Sequence, residues 1–119
     1  MQVNFNQPNF TGHFSKETLK RAEEFLSPQQ MKKIKNFRAG GRYTKISIKS
    51  QRQEPVRLQN GSVVIPEETY VEFSNTRRKN GPKSRIKLAD FELPLNMETF
   101  KKITNEMVAY GEKLMNMYK

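Results

Sequence analysis

The sequence predicts an α+β fold: an N-terminal helix pair and a long C-terminal helix packed on an antiparallel sheet of four to five short strands. Two short stretches with helical apolar spacing come first. Apolar and polar residues then alternate with a period of two through residues 43–93, and a long helical stripe follows. A chain of 119 residues is expected to form one domain, here residues 15–119, preceded by an arm of residues 1–14.

The arm of residues 1–14 is rich in asparagine, glutamine and phenylalanine, and Pro8 and Gly12 interrupt any regular pattern. We expect an extended segment whose three phenylalanines, Phe5, Phe10 and Phe14, pack on the domain, because exposing them to water would be unfavourable. Two alternatives are an edge strand over residues 2–6 and a short linear segment that docks on a partner.

Two start signals predict the N-terminal helix pair. Ser15 is a suitable N-cap for a first helix that extends to about Leu26. Ser27 and Gln30 then have the spacing of a capping box, and the proline between them suits a first helical position. The second helix is expected to end at the glycine pair 40–41.

Strict alternation predicts strands over residues 43–49, 69–75 and 84–90. Between the first two, Asn60-Gly61 predicts a hairpin with a two-residue type I′ turn. That turn would pair Leu58 with Val63 and Val56 with Ile65 and so place all four on one face. A second Asn-Gly pair, in residues 76–83, predicts a basic hairpin tip.

The last helix is expected to begin at the N-cap Asn96 and to continue almost to the C-terminus. Its apolar residues recur with heptad spacing at Phe100, Ile103, Met107, Tyr110, Leu114 and Met117. A helix that crosses the apolar face of the sheet accounts for this stripe, and a monomer is favoured. The alternative is a coiled-coil dimer through the same helix.

Positive charge is segregated along the chain, which carries a formal net charge of +10. Residues 25–53 contain eight cations and residues 73–89 contain six, and neither run contains an acid. These two runs hold 14 of the 22 basic residues, so the remaining chain is net acidic. Segregated cations attract polyanions through their long-range field and through counterion release.

Catalytic and metal-binding patterns are missing from the sequence. There is no cysteine, His13 is the only histidine, and no nucleophile elbow or phosphate-binding glycine loop is found. We therefore expect a non-enzymatic protein with no metal and no cofactor. The N-terminus has neither the basic nor the apolar region of a secretory signal, and no run is long enough to span a membrane, so a cytoplasmic protein is expected.

Three groups of residues form the predicted nucleic-acid-binding surface. The open sheet face would combine tyrosines for base stacking with cations for phosphates, and Glu72 would be its one acid. Its binding residues are Tyr43, Lys45, Lys49, Arg57, Tyr70, Arg85 and Lys87. The hairpin tip would add Arg77, Arg78, Lys79 and Lys83, and the second helix would add Lys32, Lys33, Lys35 and Arg38.

Two other interpretations of these residues stay open. The charge could meet an acidic protein partner, in which case the chain would be a protein-interaction or structural module. Lysines on the outer face and edge of a sheet also prevent aggregation between strands, with no ligand involved.

Overall fold

A computed structural model describes residues 11–41, 43–78 and 80–117. The α+β class predicted from the sequence is confirmed, because helices cover one face of a four-stranded sheet. Of the predicted arm, only residues 11–14 are described, and the proposed edge strand over residues 2–6 lies outside the described residues. Within the described part of the chain, no helix is both long and apolar enough to cross a membrane.

The described residues form four helices, and each begins at a side chain that accepts a hydrogen bond from the first turn. They are α1 (Lys16–Ala22), α2 (Pro28–Lys35), α3 (Met97–Lys101) and α4 (Asn105–Asn116). The predicted N-cap Ser15 and the capping box of Ser27 with Gln30 both form. The first helix is shorter than expected: it ends at Ala22, and the backbone N–H of Phe25 donates to the Ala22 carbonyl in the turn that follows.

The main sheet has the strand order β1-β2-β5-β6. Its strands are β1 (His13–Phe14), β2 (Thr44–Arg52), β5 (Glu67–Asn75) and β6 (Lys83–Ala89), and a separate two-stranded sheet contains β3 (Val56–Arg57) and β4 (Val63–Val64). The prediction of a purely antiparallel sheet is wrong, because β1 pairs parallel with β2. The chain passes through α1 and α2 between these strands, and a crossover of this kind produces parallel pairing.

Helix α1 continues the edge of the sheet where the short strand β1 stops. The backbone N–H of Ile48 donates to Thr18 Oγ1 at 3.1 Å, and Arg21 Nη1 donates to the Ile48 carbonyl at 3.0 Å. Two helix side chains thus satisfy backbone groups of β2 that would otherwise need a neighbouring strand.

The register predicted for the β3–β4 hairpin is wrong by one residue. Val56 pairs with Val64, and Arg57 pairs with Val63. Only Gly61 of the turn has a positive φ, +88°, and its N–H donates to the Leu58 carbonyl at 2.9 Å. Asn-Gly is compatible with a type I′ turn, but here it forms a three-residue loop that ends in a left-handed glycine, and this adds one residue to the turn.

The expected long C-terminal helix is interrupted. Helix α3 ends at Lys101, and Thr104 then caps α4 by accepting a hydrogen bond from the Met107 N–H at 3.1 Å. Because of this break, the buried face of α4 differs from the predicted heptad stripe and contains Val108, Gly111 and Met115. Of the predicted heptad positions, Tyr110 on α4 and Met117, the residue after α4, are exposed.

The core lies between the helices and the inner face of the sheet. Ile46 pairs with Phe73 and Ile48 pairs with Val71, and all four side chains are fully buried. The predicted packing of the last helix on the sheet is confirmed for α4, which contacts β5 and β6. Its backbone approaches closely at Gly111, whose carbonyl accepts a hydrogen bond from Ser84 at 2.6 Å.

Replacing Gly111 with alanine is expected to destabilise the protein. A Cβ atom at this position would lie 2.3 Å from Cδ2 of Phe73, and overpacking of this kind costs about 1–3 kcal/mol. Helix propensity alone would give the opposite sign, because alanine is favoured over glycine by about 1 kcal/mol. Thermal unfolding of Gly111→Ala should therefore show a lower Tm, and a raised Tm would contradict the close packing.

Candidate nucleic-acid interface

The open face of the main sheet carries three rows of polar side chains. Each row crosses the sheet and contains one residue from each of β2, β5 and β6. Residues that pair across strands point to the same face, so the rows follow from the register. They are Lys45–Ser74–Lys83, Ser47–Glu72–Arg85 and Lys49–Tyr70–Lys87. The alternation that buries Ile46 and Ile48 also places these side chains together on the opposite face.

Glu72 lies at the centre of this face and is surrounded by three cations. Lys49 Nζ is 3.0 Å from Glu72 Oε1, Arg85 Nε is 3.6 Å from Oε2, and Lys83 Nζ is 4.0 Å from Oε1. The Glu72 side chain is only 6% exposed, whereas each of its cationic partners is about half exposed. A buried carboxylate needs such partners, because burial removes its hydration.

Tyr70 is not available as a stacking platform, contrary to the sequence prediction. It is 7% exposed, and the Arg85 guanidinium lies over its ring at 4.7 Å from the centroid. The same guanidinium donates to Gln51 at 2.9 Å. Tyr70 therefore packs against the guanidinium of Arg85 on the neighbouring strand and holds it in place.

A cleft opens beside Glu72, between α1 and the loop that joins β5 to β6. Its volume is about 640 Å³. Among its described lining residues, six are cations and two are acids. The cations are Arg21, Lys45, Lys49, Arg77, Arg78 and Lys83, and the acids are Glu17 and Glu72. We call this site the basic cleft.

The walls of the basic cleft are held by local hydrogen bonds. On the α1 side, Glu17 has a lowered pKa, chiefly because of a hydrogen bond from its own backbone N–H, with Lys45 and Ser15 acting in the same direction. On the loop side, Asn75 Oδ1 accepts a hydrogen bond from the Arg77 N–H at 2.9 Å. Arg77 also lies over the Tyr43 ring, 5.4 Å from its centroid.

The structure brings five of the predicted binding residues into the basic cleft: Lys45, Lys49, Arg77, Arg78 and Lys83. Tyr43, Tyr70 and Arg85 support or adjoin them, whereas Lys87 pairs with Asp90. Placing Arg57 on this face was wrong, because it belongs to the separate β3–β4 sheet. Lys79 lies outside the described residues.

The cations of the second helix do not join the cleft. Lys32, Lys33 and Lys35 are exposed on α2, and Arg38, just beyond the helix, donates to the carbonyls of Lys35 and Phe37. None of these four residues lines the basic cleft as described. The described cations that the first basic run contributes to the basic cleft, Lys45 and Lys49, both lie on β2.

Sequence reasoning missed Arg21 as a cleft residue. It is four positions from Glu17 on a helix, which is typical of an ordinary surface ion pair, and its contact with Ile48 depends on tertiary packing. The described residues contain no cluster of histidines, cysteines and acids suited to a metal ion. Comparison with known protein families, curated proteins and solved structures finds no match for the chain.

Replacing Glu72 with glutamine is expected to lower stability while preserving side-chain volume. Lys49, Lys83 and Arg85 would lose the charge that holds them together, at a cost of roughly 1–2 kcal/mol after allowing for their exposure. Chemical denaturation at low and high salt should show this loss, and it should shrink as salt screens the remaining cations.

Glu24→Gln provides the matched control, because Glu24 is exposed beyond α1 and outside the basic cleft. The same loss of stability in both variants would show that the position of Glu72 has no special importance.

Proposed function

We propose that the chain is a non-enzymatic nucleic-acid-binding protein and that the basic cleft holds the sugar–phosphate backbone of its ligand. The observation that carries the proposal is the excess of four positive charges among the described residues of one concave site. Cations concentrated in a cleft focus the electrostatic field and favour a polyanion over a neutral ligand.

The arrangement of the cations favours an extended ligand over a single anion. Arg21 is on α1, Lys45 and Lys49 are on β2, and Arg77 and Arg78 are in the β5–β6 loop. Cations on separate elements along the cleft suit successive phosphates of a chain, and each phosphate neutralised releases counterions.

The covered aromatic rings favour contacts to phosphates over contacts to bases. Arg85 lies over Tyr70, and Arg77 lies over Tyr43. These arginines keep donors for phosphate oxygens, while the ring faces beneath them are occupied. Contacts of this kind position a nucleic acid without reading its sequence.

Removing two cations from the β5–β6 loop is expected to weaken binding uniformly across sequences. The variant Arg77→Gln/Arg78→Gln should lose about tenfold or more in affinity for labelled DNA and RNA at low salt, and its salt slope should fall by about two. Fluorescence anisotropy at several salt concentrations measures both quantities.

The matched control is Lys32→Gln/Lys33→Gln, which removes the same charge from α2, outside the basic cleft. Equal losses in the two variants would mean that net charge alone attracts the ligand. If the wild-type protein binds polyglutamate but no nucleic acid at low salt, the partner is an acidic protein and the proposal fails.

Duplex and single-stranded ligands with equal numbers of phosphates are expected to bind with affinities within about threefold of each other. Stacking is worth roughly 1–3 kcal/mol per base, but arginines lie over Tyr43 and Tyr70, the tyrosine rings beside the basic cleft. Competition between matched single strands and hairpins of one length measures this ratio. A strong preference for single strands would instead require the tyrosines to be uncovered on binding.

A further inference from the structure

Residues 53–66 form an exposed two-stranded extension, here called the apolar ribbon, that continues the β2–β5 pairing beyond the main sheet. The Gln53 N–H donates to the Pro66 carbonyl at 2.8 Å, which connects the ribbon to the sheet. Its apolar side chains are 42–55% exposed and belong to Val56, Leu58, Val63, Val64 and Ile65. No other part of the described chain exposes so many large aliphatic residues in succession.

Both faces of the apolar ribbon carry these side chains. Val56 pairs with Val64 and shares a face with it, whereas Val63 lies on the opposite face beside Arg57. A two-stranded sheet is only marginally stable in water by itself. An apolar patch of this kind on a polar chain is typical of an interaction surface.

The apolar ribbon carries little charge, so it suits a different kind of partner from the polyanion proposed for the basic cleft. Residues 53–66 contain one acid, Glu54, and one base, Arg57, in a chain of net charge +10. The ribbon follows the Arg52–Glu67 end of the β2–β5 ladder, and the loop lining the basic cleft follows the Thr44–Asn75 end. Two copies that meet at their ribbons therefore keep their cationic sites apart, which reduces repulsion between them.

Strand β4 is complementary to a second copy of itself. If two β4 strands pair antiparallel about a twofold axis at Val64, Val64 faces its own copy and Val63 faces Ile65 of the second chain. All three positions then meet apolar side chains, as an isologous interface requires. We propose that this chain forms a homodimer in which β4 strands pair in this register and join the two ribbons into one four-stranded sheet.

The sequence favours a monomer, and its alternative was a dimer through the C-terminal helix. The exposed ribbon favours association at a different place. Pro55 and Pro66 flank the two ribbon strands, and proline at strand ends stops the pairing from extending. These flanks favour a closed pair of chains over a growing filament.

Single-cysteine variants test both the dimer and its register, because the chain contains no cysteine. In the proposed pairing the two Cβ atoms at position 64 lie about 4.5–5.5 Å apart, close to disulfide geometry. Val64→Cys should therefore cross-link rapidly on mild oxidation. Two control variants should not cross-link: Phe25→Cys, where the native side chain is at least as exposed as Val64 but lies outside the ribbon, and Val63→Cys, which faces Ile65.

Sedimentation of the full chain tests the same interface without a cross-link. The wild-type protein should dimerise with increasing concentration, and Val64→Lys should weaken dimerisation at least about tenfold by placing two lysines opposite each other. Phe25→Lys should leave it unchanged. Binding of nucleic acid by monomeric Val64→Lys is scored separately, so failure of the dimer is distinguishable from failure of the proposed function.

Three results would overturn the homodimer. The wild-type protein could remain monomeric at all concentrations, as expected if a different protein covers the ribbon. Position 64 could cross-link no faster than position 25. Position 63 could cross-link as fast as position 64, which would contradict the register.

Discussion

The pairing of β2 with β5 is the constraint on which the rest of the molecule depends. Its inward pairs, Ile46–Phe73 and Ile48–Val71, form the dry side of the sheet, against which the helices pack. Its outward pairs place Glu72 and Lys49 beside each other in the basic cleft. Because side chains alternate with a period of two, a slip of one residue would expose the core and bury the charges together. Hydrophobic packing therefore fixes the position of the cationic side chains.

Glu72 links the stability of this face to its charge. A carboxylate at 6% exposure tolerates burial because Lys49, Lys83 and Arg85 supply the attraction that water would have supplied. The ion pairs with Glu72 restrain these three cations without any ligand. If a polyanion binds these cations, as we propose, the protein loses less side-chain entropy on binding than it would with freely moving lysines. Glu72 therefore lowers the net positive charge of the cleft but holds the surrounding cations in place.

The sequence predicts well those features that depend on neighbouring residues. Ser15 and Ser27 cap their helices as expected, because a cap requires only the next few positions. Alternation located β2, β5 and β6, and it predicted the positions of Lys45 and Lys49 in the cleft. The second Asn-Gly pair predicted the hairpin tip that supplies Arg77, Arg78 and Lys83.

Long-range features were beyond the sequence. The parallel pairing of His13 with Lys45 spans two helices, and no local pattern specifies it. The Asn60-Gly61 turn is compatible with two loop lengths, and the choice moves the register by one. The helix break at Thr104 was hidden, because the apolar spacing continues across it.

The length of β2 gives the molecule a fixed internal distance. Its nine residues span about 30 Å; the basic cleft lies along its first part, from Lys45 to Lys49, and the apolar ribbon follows its last residue. A paired strand of this length does not bend or stretch easily, so it acts as a spacer. In two chains joined at their ribbons, the paired strands would therefore fix the distance between the two basic clefts. The proposed dimer would therefore bind two separate segments of nucleic acid, one in each cleft, instead of placing both clefts on the same segment.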